Sequence, residues 1–313
     1  MFEIRRYTPD QADEWNSFAA TSKNATFLFD RRYMDYHQER FEDCSLMIYH
    51  DARLHALLPA NRKGDTFFSH EGLTYGGLLM NERNTAAETV TLFDELNAFL
   101  RRQGFGKVRY KCIPAIYHRL PAEEDLYAIY RTADARLSSR SIGSVIDMQH
   151  RLKWSHGRRY GINRCRNNGV VIVCDSDKWE GFWQVLEENL KEKHHAVPVH
   201  TLQEIRLLKA RFPNNIILCT GQQDGQVIGG TVLYLTPRVI HAQYISANAA
   251  GKKLGVIDAL YDQILSHECL QRPYFDFGIS TEDHGRILNE SLIYQKEGFG
   301  GRGVCYDWYD WEL

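Results

Sequence analysis

Gly251, Lys252, Lys253 and Gly255 sit together in the run AAGKKLG, two flexible backbone positions bracketing two positive charges. Glycine lets a chain turn tightly and leaves backbone amides unshielded. Before this run, Val239–Ser246 is rich in β-branched and aromatic residues and reads as a strand. After it, Val256, Ile257, Leu260, Ile264 and Leu265 recur at helical spacing. A helix entered from a strand through glycines aims unpaired N–H groups and the positive end of its dipole at one spot. That is the chemistry of a pyrophosphate cradle, with Gly251, Lys252, Lys253, Leu254 and Gly255 as its candidate residues. The same spacing also suits a plain surface connection with two solvated lysines.

Two other stretches carry reactive side chains. YFDFGI, Tyr274–Ile279, reads as a strand that delivers Ser280, Thr281, Glu282, Asp283 and His284 to its carboxyl end, where open α/β sheets bind ligands. Ser280 or Thr281 can equally cap a following helix, expected at Ile287–Lys296. HRLKWSHGRRYGINRCRNN, residues 150–168, holds eight Lys, Arg or His residues among Trp154 and Tyr160. Arg159 and Arg164 offer bidentate forks to a phosphate or carboxylate, or form the solvated face of a helix. His194, His195 and His200 follow the expected helix Trp179–Lys193, without a carboxylate or cysteine at metal spacing, so no metal is expected. The loop is a candidate substrate contact, His195 in particular.

The elements that must position these residues repeat along the chain. Ser45–Tyr49 and His55–Ala60 read as a hairpin, Leu73–Leu79 as a strand, Thr89–Gln103 as a helix and Lys107–Ile113 as a strand. In the second half Ile216–Cys219 and Val227–Leu235 flank the turn QQDGQ, followed by strand 239–246, helix 256–266 and strand 274–279. The offset is nearly constant: 169 positions from Tyr75 to Tyr244 and 167 from Lys107 to Tyr274. This predicts two similar domains, 1–150 and 151–313. Where the second half has AAGKKLG, the first has MNERNTAAE, without glycine and with two nearby acids, so a phosphate is expected only in the second.

The totals bound the class. The 313 residues are 43% hydrophobic and 12% aromatic, enough for packed cores. A formal net charge of −2 gives no global basic field for DNA or an anionic membrane. Seven dispersed cysteines without a CxxC pair, and no apolar run long enough to span a bilayer, lead to the expectation of a reduced cytoplasmic protein.

At AAGKKLGVIDAL after a strand, YQKEGF at Tyr294–Phe299, RRYGINRCRNNGV and YFDFG, the chain resembles the GNAT-like acyltransferase superfamily, in its duplicated Fem-type branch. The expected fold is α/β (α+β): two tandem GNAT-like domains, each a mixed, largely antiparallel sheet flanked by helices. The resemblance implies acyl transfer from acyl-CoA, such as acetyl-CoA, as co-substrate to a primary amine on an amino sugar or cell-envelope precursor. Transfer from aminoacyl-tRNA to a peptidoglycan precursor, and a non-catalytic binding protein, are the alternatives. The long helical arm of many tRNA-dependent members is missing here.

The implied chemistry needs a base for the attacking amine, and His241, Glu282 and Asp276 are the side chains available. His241 is the residue type best suited to proton transfer near neutrality. Backbone amides near Tyr244, Ile245 and Ser246 are expected to face the oxyanion and the acyl donor, with Gln243 and Tyr244 toward the acceptor. By position in the motif, Tyr294 inherits the role of acid for the departing thiolate. Asn289, five residues before Tyr294, falls near the family's cofactor-binding asparagine.

Overall fold

The structure, a computed structural model, describes residues 1–194, 196–267 and 270–313. The chain divides into two compact units. The first comprises Met1–Ile142, Thr281–Leu288 and Val304–Leu313; the second comprises Gly143–Ser280 and Asn289–Gly303.

In the first unit the strands are β1 (Phe2–Arg6), β2 (Glu42–Asp43), β3 (Leu46–His50), β4 (Arg53–Leu58), β5 (Asn61–Lys63), β6 (Thr66–Phe68), β7 (Leu79–Met80), β8 (Lys107–Lys111) and the start of β9 (Arg136–Asp147). Its helices are α1 (Ala12–Thr21), α2 (Arg31–Met34), α3 (Ala86–Arg102) and α4 (Glu124–Ala133). Strands β1, β3, β4 and β7 form one antiparallel sheet. Helix α3 starts where Thr85 and Glu88 close a capping box, which satisfies two otherwise orphaned amides. Its stripe of Leu92, Phe93, Leu96 and Leu100 is buried against Tyr110, Ile129 and Trp311.

Two segments depart from regular helix or strand here. The aromatic stretch after Asp30 is one turn of α2 followed by a tighter 3₁₀ stretch, Asp35–Arg40, broken at His37. The buried Arg31 guanidinium bonds both Asp35 and Asp43 and fixes that bend. Of Leu73–Leu79 only its end enters a strand. A Cβ on Gly76 would lie 1.8 Å from the Ser69 carbonyl oxygen, and Gly77 holds φ +98°, so this backbone cannot run flat in a ladder.

The second unit contains α5 (His156–Asn167), β10 (Val171–Cys174), α6 (Trp179–His194), α7 (Leu202–Arg211), β11 (Ile216–Gln223), β12 (Gln226–Leu235), β13 (Val239–Ala247), α8 (Ala249–Leu254), α9 (Val256–Ser266), β14 (Tyr274–Ile279) and α10 (Glu290–Glu297). The remaining strands are β15 (Thr281–Glu282), β16 (Ile287–Leu288) and β17 (Arg302–Glu312), most of which returns to the first unit and pairs with β8.

Strands β10 to β13 pair antiparallel in chain order, and β14 joins β13 in parallel. On its other side β14 runs antiparallel to residues 143–147 of β9. Alternation along β14 puts Phe275 and Phe277 on one face, where they meet Tyr261 of α9 and Phe299 at centroid separations of 4.8–5.7 Å. This aromatic cluster seats α9 on the sheet.

Candidate functional site

His241 and Asp276 are cross-strand partners in the parallel β13–β14 pair, and they are the last ones. Beyond them β13 continues for six residues toward Ala247 without a β14 partner in the ladder, so the two strands splay. Two irregularities mark the same place. Opposite β12 the register jumps from Val232↔Tyr244 to Leu233↔Ala242, which makes Gln243 an extra residue. On β14 the register with β9 shifts between Asp276 and Ile279, and Gly278 takes up the extra length at φ +72°.

His241 Nδ1 lies 2.8 Å from Asp276 Oδ2, both side chains being buried. The other oxygen, Asp276 Oδ1, accepts the Gly278 N–H at 2.8 Å. A Cβ on Gly278 would come within 3.4 Å of His241 Cε1, so the bulge borders the imidazole. Lys296 of α10 donates to the Gly278 and Ile279 carbonyls at 2.9 and 2.7 Å and ties the bulge down. Burial lowers the Lys296 pKa to about 8, with the Asp276 charge opposing. An acid–imidazole pair with one carboxylate oxygen anchored can hold the ring and stabilise it when it gains a proton. Sequence reasoning did not single out Lys296, although it lies in the YQKEGF motif.

Tyr244 stands on the same strand with its hydroxyl 2.6 Å from His200 Nδ1, and burial pushes its pKa up to about 12. Trp183 meets its ring edge-on at 5.4 Å. Ser246 is buried, and its hydroxyl donates to the Val185 carbonyl of α6. Ile245 is partly exposed. Gln243 has a buried side-chain oxygen without a partner among the described residues. His200 is thus engaged with Tyr244, and His195 lies outside the described residues.

The glycine-bracketed run is not an open turn. Residues 249–254 coil into α8, capped by the Asn248 side chain, which accepts the Gly251 N–H at 2.9 Å. The Lys252 and Gly255 amides donate within this turn, and the Asp258 amide donates to Gly255. Both glycines are explained by packing. A Cβ on Gly251 would lie 2.1 Å from the Ile228 carbonyl oxygen, and Gly255 holds φ +79° with its Cβ position 2.8 Å from Gly161 Cα on α5. Asp258, in the first turn of α9, is buried against α5 and bonds Arg158 at 2.8 Å. That carboxylate occupies the positive end of the helix where the phosphate was expected. Lys252 bonds Asn189, Lys253 is exposed, and Leu254 packs against the core.

The remaining expected residues are scattered. Tyr294 is 77% exposed on α10 and its hydroxyl makes no hydrogen bond among the described residues. Glu282 belongs to the β15–β16 hairpin of the first unit. Asn289 accepts the Leu292 N–H and caps α10, the role expected of Ser280 or Thr281; the capped helix also starts later, after β16. Arg159 is exposed, and Arg164 stacks over Tyr160 at 5.4 Å. Their neighbour Arg158 carries the structural contacts of α5, to Asp258 and over the Phe299 ring. Among the described residues no three His, Cys, Asp or Glu side chains converge as a metal site, and no helix is long and apolar enough to cross a membrane.

A family model described as acetyltransferase (GNAT) domain matches residues 155–286, the stretch from α5 to the turn after β15. No curated protein sequence matches the chain. Among solved structures, FemX superposes with a TM-score of 0.69 at 7% identity, over 99% of this chain and 97% of its own. The C-terminal domain of a putative lysylphosphatidylglycerol synthetase from Agrobacterium fabrum gives 0.60 at 12% identity, over 90% of each chain. A tandem GNAT protein from the clavulanic acid biosynthesis pathway gives 0.54 at 12% identity, over 100% of this chain and 98% of its own. At these identities the likeness is one of fold: mixed sheets flanked by helices, in tandem. Residues 155–286 thus match a GNAT acetyltransferase domain, and the chain as a whole shares the fold of FemX and of the tandem GNAT protein.

Proposed function

We propose that the second unit is an N-acyltransferase site in which His241 takes the proton of an attacking primary amine while Asp276 holds the imidazole. The observation that carries this reading is the buried His241–Asp276 pair where β13 and β14 part. There the amine nitrogen attacks the acyl carbonyl carbon, and backbone N–H groups of β13 beyond His241 are the donors available to the oxyanion. His241 accepts the amine proton, Asp276 stabilises the resulting imidazolium, and collapse of the intermediate expels the donor's leaving group. The acceptor we favour is an amine on an amino sugar or a cell-envelope precursor, in keeping with the folds of FemX and the lysylphosphatidylglycerol synthetase domain.

The α8–α9 connection favours a donor whose phosphates do not rest on α9. The amides of Gly251, Lys252, Gly255 and Asp258 are already donated, and Asp258 brings negative charge to that helix end. An aminoacyl ester on tRNA meets that condition. The second reading, an acyl-CoA thioester, is supported by the acetyltransferase family match and would use Lys252 and Lys253 as phosphate contacts. Calorimetric titration with acetyl-CoA and desulfo-CoA separates the two. Micromolar binding overturns the first reading. Silence with both ligands, together with RNase-sensitive transfer from charged tRNA to an amine, overturns the second.

A further inference from the structure

Away from the splay, the second unit holds two cysteines in direct register. Cys174 ends β10, and Cys219 lies opposite it on β11. Opposed residues of an antiparallel pair share a face, with Cβ atoms roughly 4.5–5.5 Å apart. A disulfide spans about 3.5–4.5 Å between Cβ atoms, so a small strand adjustment suffices. Packing confirms the shared face: Cys219 is fully buried in the core beneath α9, and Cys174 sits half-buried against that core. Both thiols are free.

A cavity of about 400 Å³ opens onto Cys174, lined also by Asp175, Ile217, His267 and Arg272. His267, also in that lining, has its Nδ1 buried without a partner among the described residues. The neighbouring Cys219 thiol holds the Cys174 pKa down, while the hydrogen bond with Cys174, together with burial, drives Cys219 well up. Of the two thiols, Cys174, which lines the cavity, is therefore the more readily ionised.

We propose that Cys174 and Cys219 form a reversible thiol–disulfide pair that small hydroperoxides reach through this cavity. The Cys174 thiolate attacks the terminal oxygen of the hydroperoxide. The O–O bond breaks, Cys174 becomes a sulfenic acid, and the alkoxide or hydroxide leaves with a proton from water or His267. The Cys219 sulfur then attacks the sulfenic sulfur, forming the S–S bond and releasing water. Two thiols are oxidised and one hydroperoxide is reduced, with no other reactant. The bond ties edge strand β10, which follows α5 directly, to the sheet interior. This inference is independent of the acyl-transfer reading.

The test treats the folded, reduced full chain with a few equivalents of hydrogen peroxide, alkylates the remaining thiols under denaturing conditions, and maps peptides by mass spectrometry. The expected product is the Cys174 peptide joined to the Cys219 peptide, two hydrogens lighter than their sum and separated by dithiothreitol. The melting temperature should rise by about 5 °C on oxidation in the wild type and not in Cys174→Ser. In Cys219→Ser, Cys174 should persist as a sulfenic acid captured by dimedone. Should that variant fail to fold, the wild-type map decides alone. Recovery of both cysteines as alkylated thiols, or of Cys174 joined to Cys305 with Cys219 free, overturns the proposal.

Discussion

His241 Nδ1 stands 2.8 Å from Asp276 Oδ2 at the last register pair before β13 and β14 separate. Past this pair β13 stays paired with β12, but its side toward β14 has no ladder partner. The carboxylate that orients His241 is fixed by the Gly278 amide, so the ring cannot turn away without breaking a buried contact.

Replacing His241 should therefore act on turnover rather than on folding. His241→Gln should lower kcat about 100- to 1,000-fold with little change in KM. Asp276→Asn should lower it by a smaller factor, because the ring survives but its orientation and charge stabilisation are lost. Initial rates with circular dichroism of each variant check this; a His241→Gln enzyme of wild-type kcat removes the residue from the chemistry.

Gly251 and Gly255 should prove to be residues of packing. Gly251→Ala drives a methyl into the Ile228 carbonyl and should destabilise by about 2–3 kcal/mol. Gly255→Ala meets the α5 backbone at Gly161 and a left-handed φ, with a similar loss. Urea unfolding measures both. A variant with an unchanged midpoint and abolished donor binding would return these glycines to a phosphate site.

Lys296 should leave a signature in stability against pH. Its pKa is about 8 in the folded chain, lowered by burial, against the ordinary 10.5 when unfolded. Between these values the unfolded chain holds the extra proton, so this group's contribution to stability rises with pH. Below pH 8 it is charged in both states and the folded form bears the burial of that charge. The stability of the wild type relative to Lys296→Met should thus increase from pH 8 to 10.5. Paired urea titrations across that range check it, and a constant difference contradicts it.

Much of this architecture was legible in the sequence. Helix α9 begins at Val256 and ends at Ser266 as its apolar spacing indicated, and β14 occupies Tyr274–Ile279 as its aromatic alternation did. His241 and Asp276 were both candidates, but nothing in the spacing of residues 35 apart shows that they touch; that follows from a parallel register set by α9 folding back between them. The two glycines read alike in the sequence for a physical reason: the residue that opens a tight turn is the same one that permits close backbone approach, and the neighbours that account for them by packing, the Ile228 carbonyl for Gly251 and Gly161 of α5 for Gly255, lie far along the chain. Lys296 was passed over because a lysine in a helix reads as solvated, whereas here its amine reaches back to two strand carbonyls. Asn289 was read as a cofactor contact, and its use as a helix cap was assigned instead to Ser280 and Thr281.

The most direct test is transfer itself. Purified protein would be given labelled acetyl-CoA or labelled aminoacyl-tRNA with a panel of amino sugars and envelope-precursor amines, alongside His241→Gln, and products identified by mass spectrometry. An N-acylated product from one of the two donors is expected, its rate reduced at least about 100-fold in the variant. No product from either donor, or equal rates in wild type and His241→Gln, would contradict it.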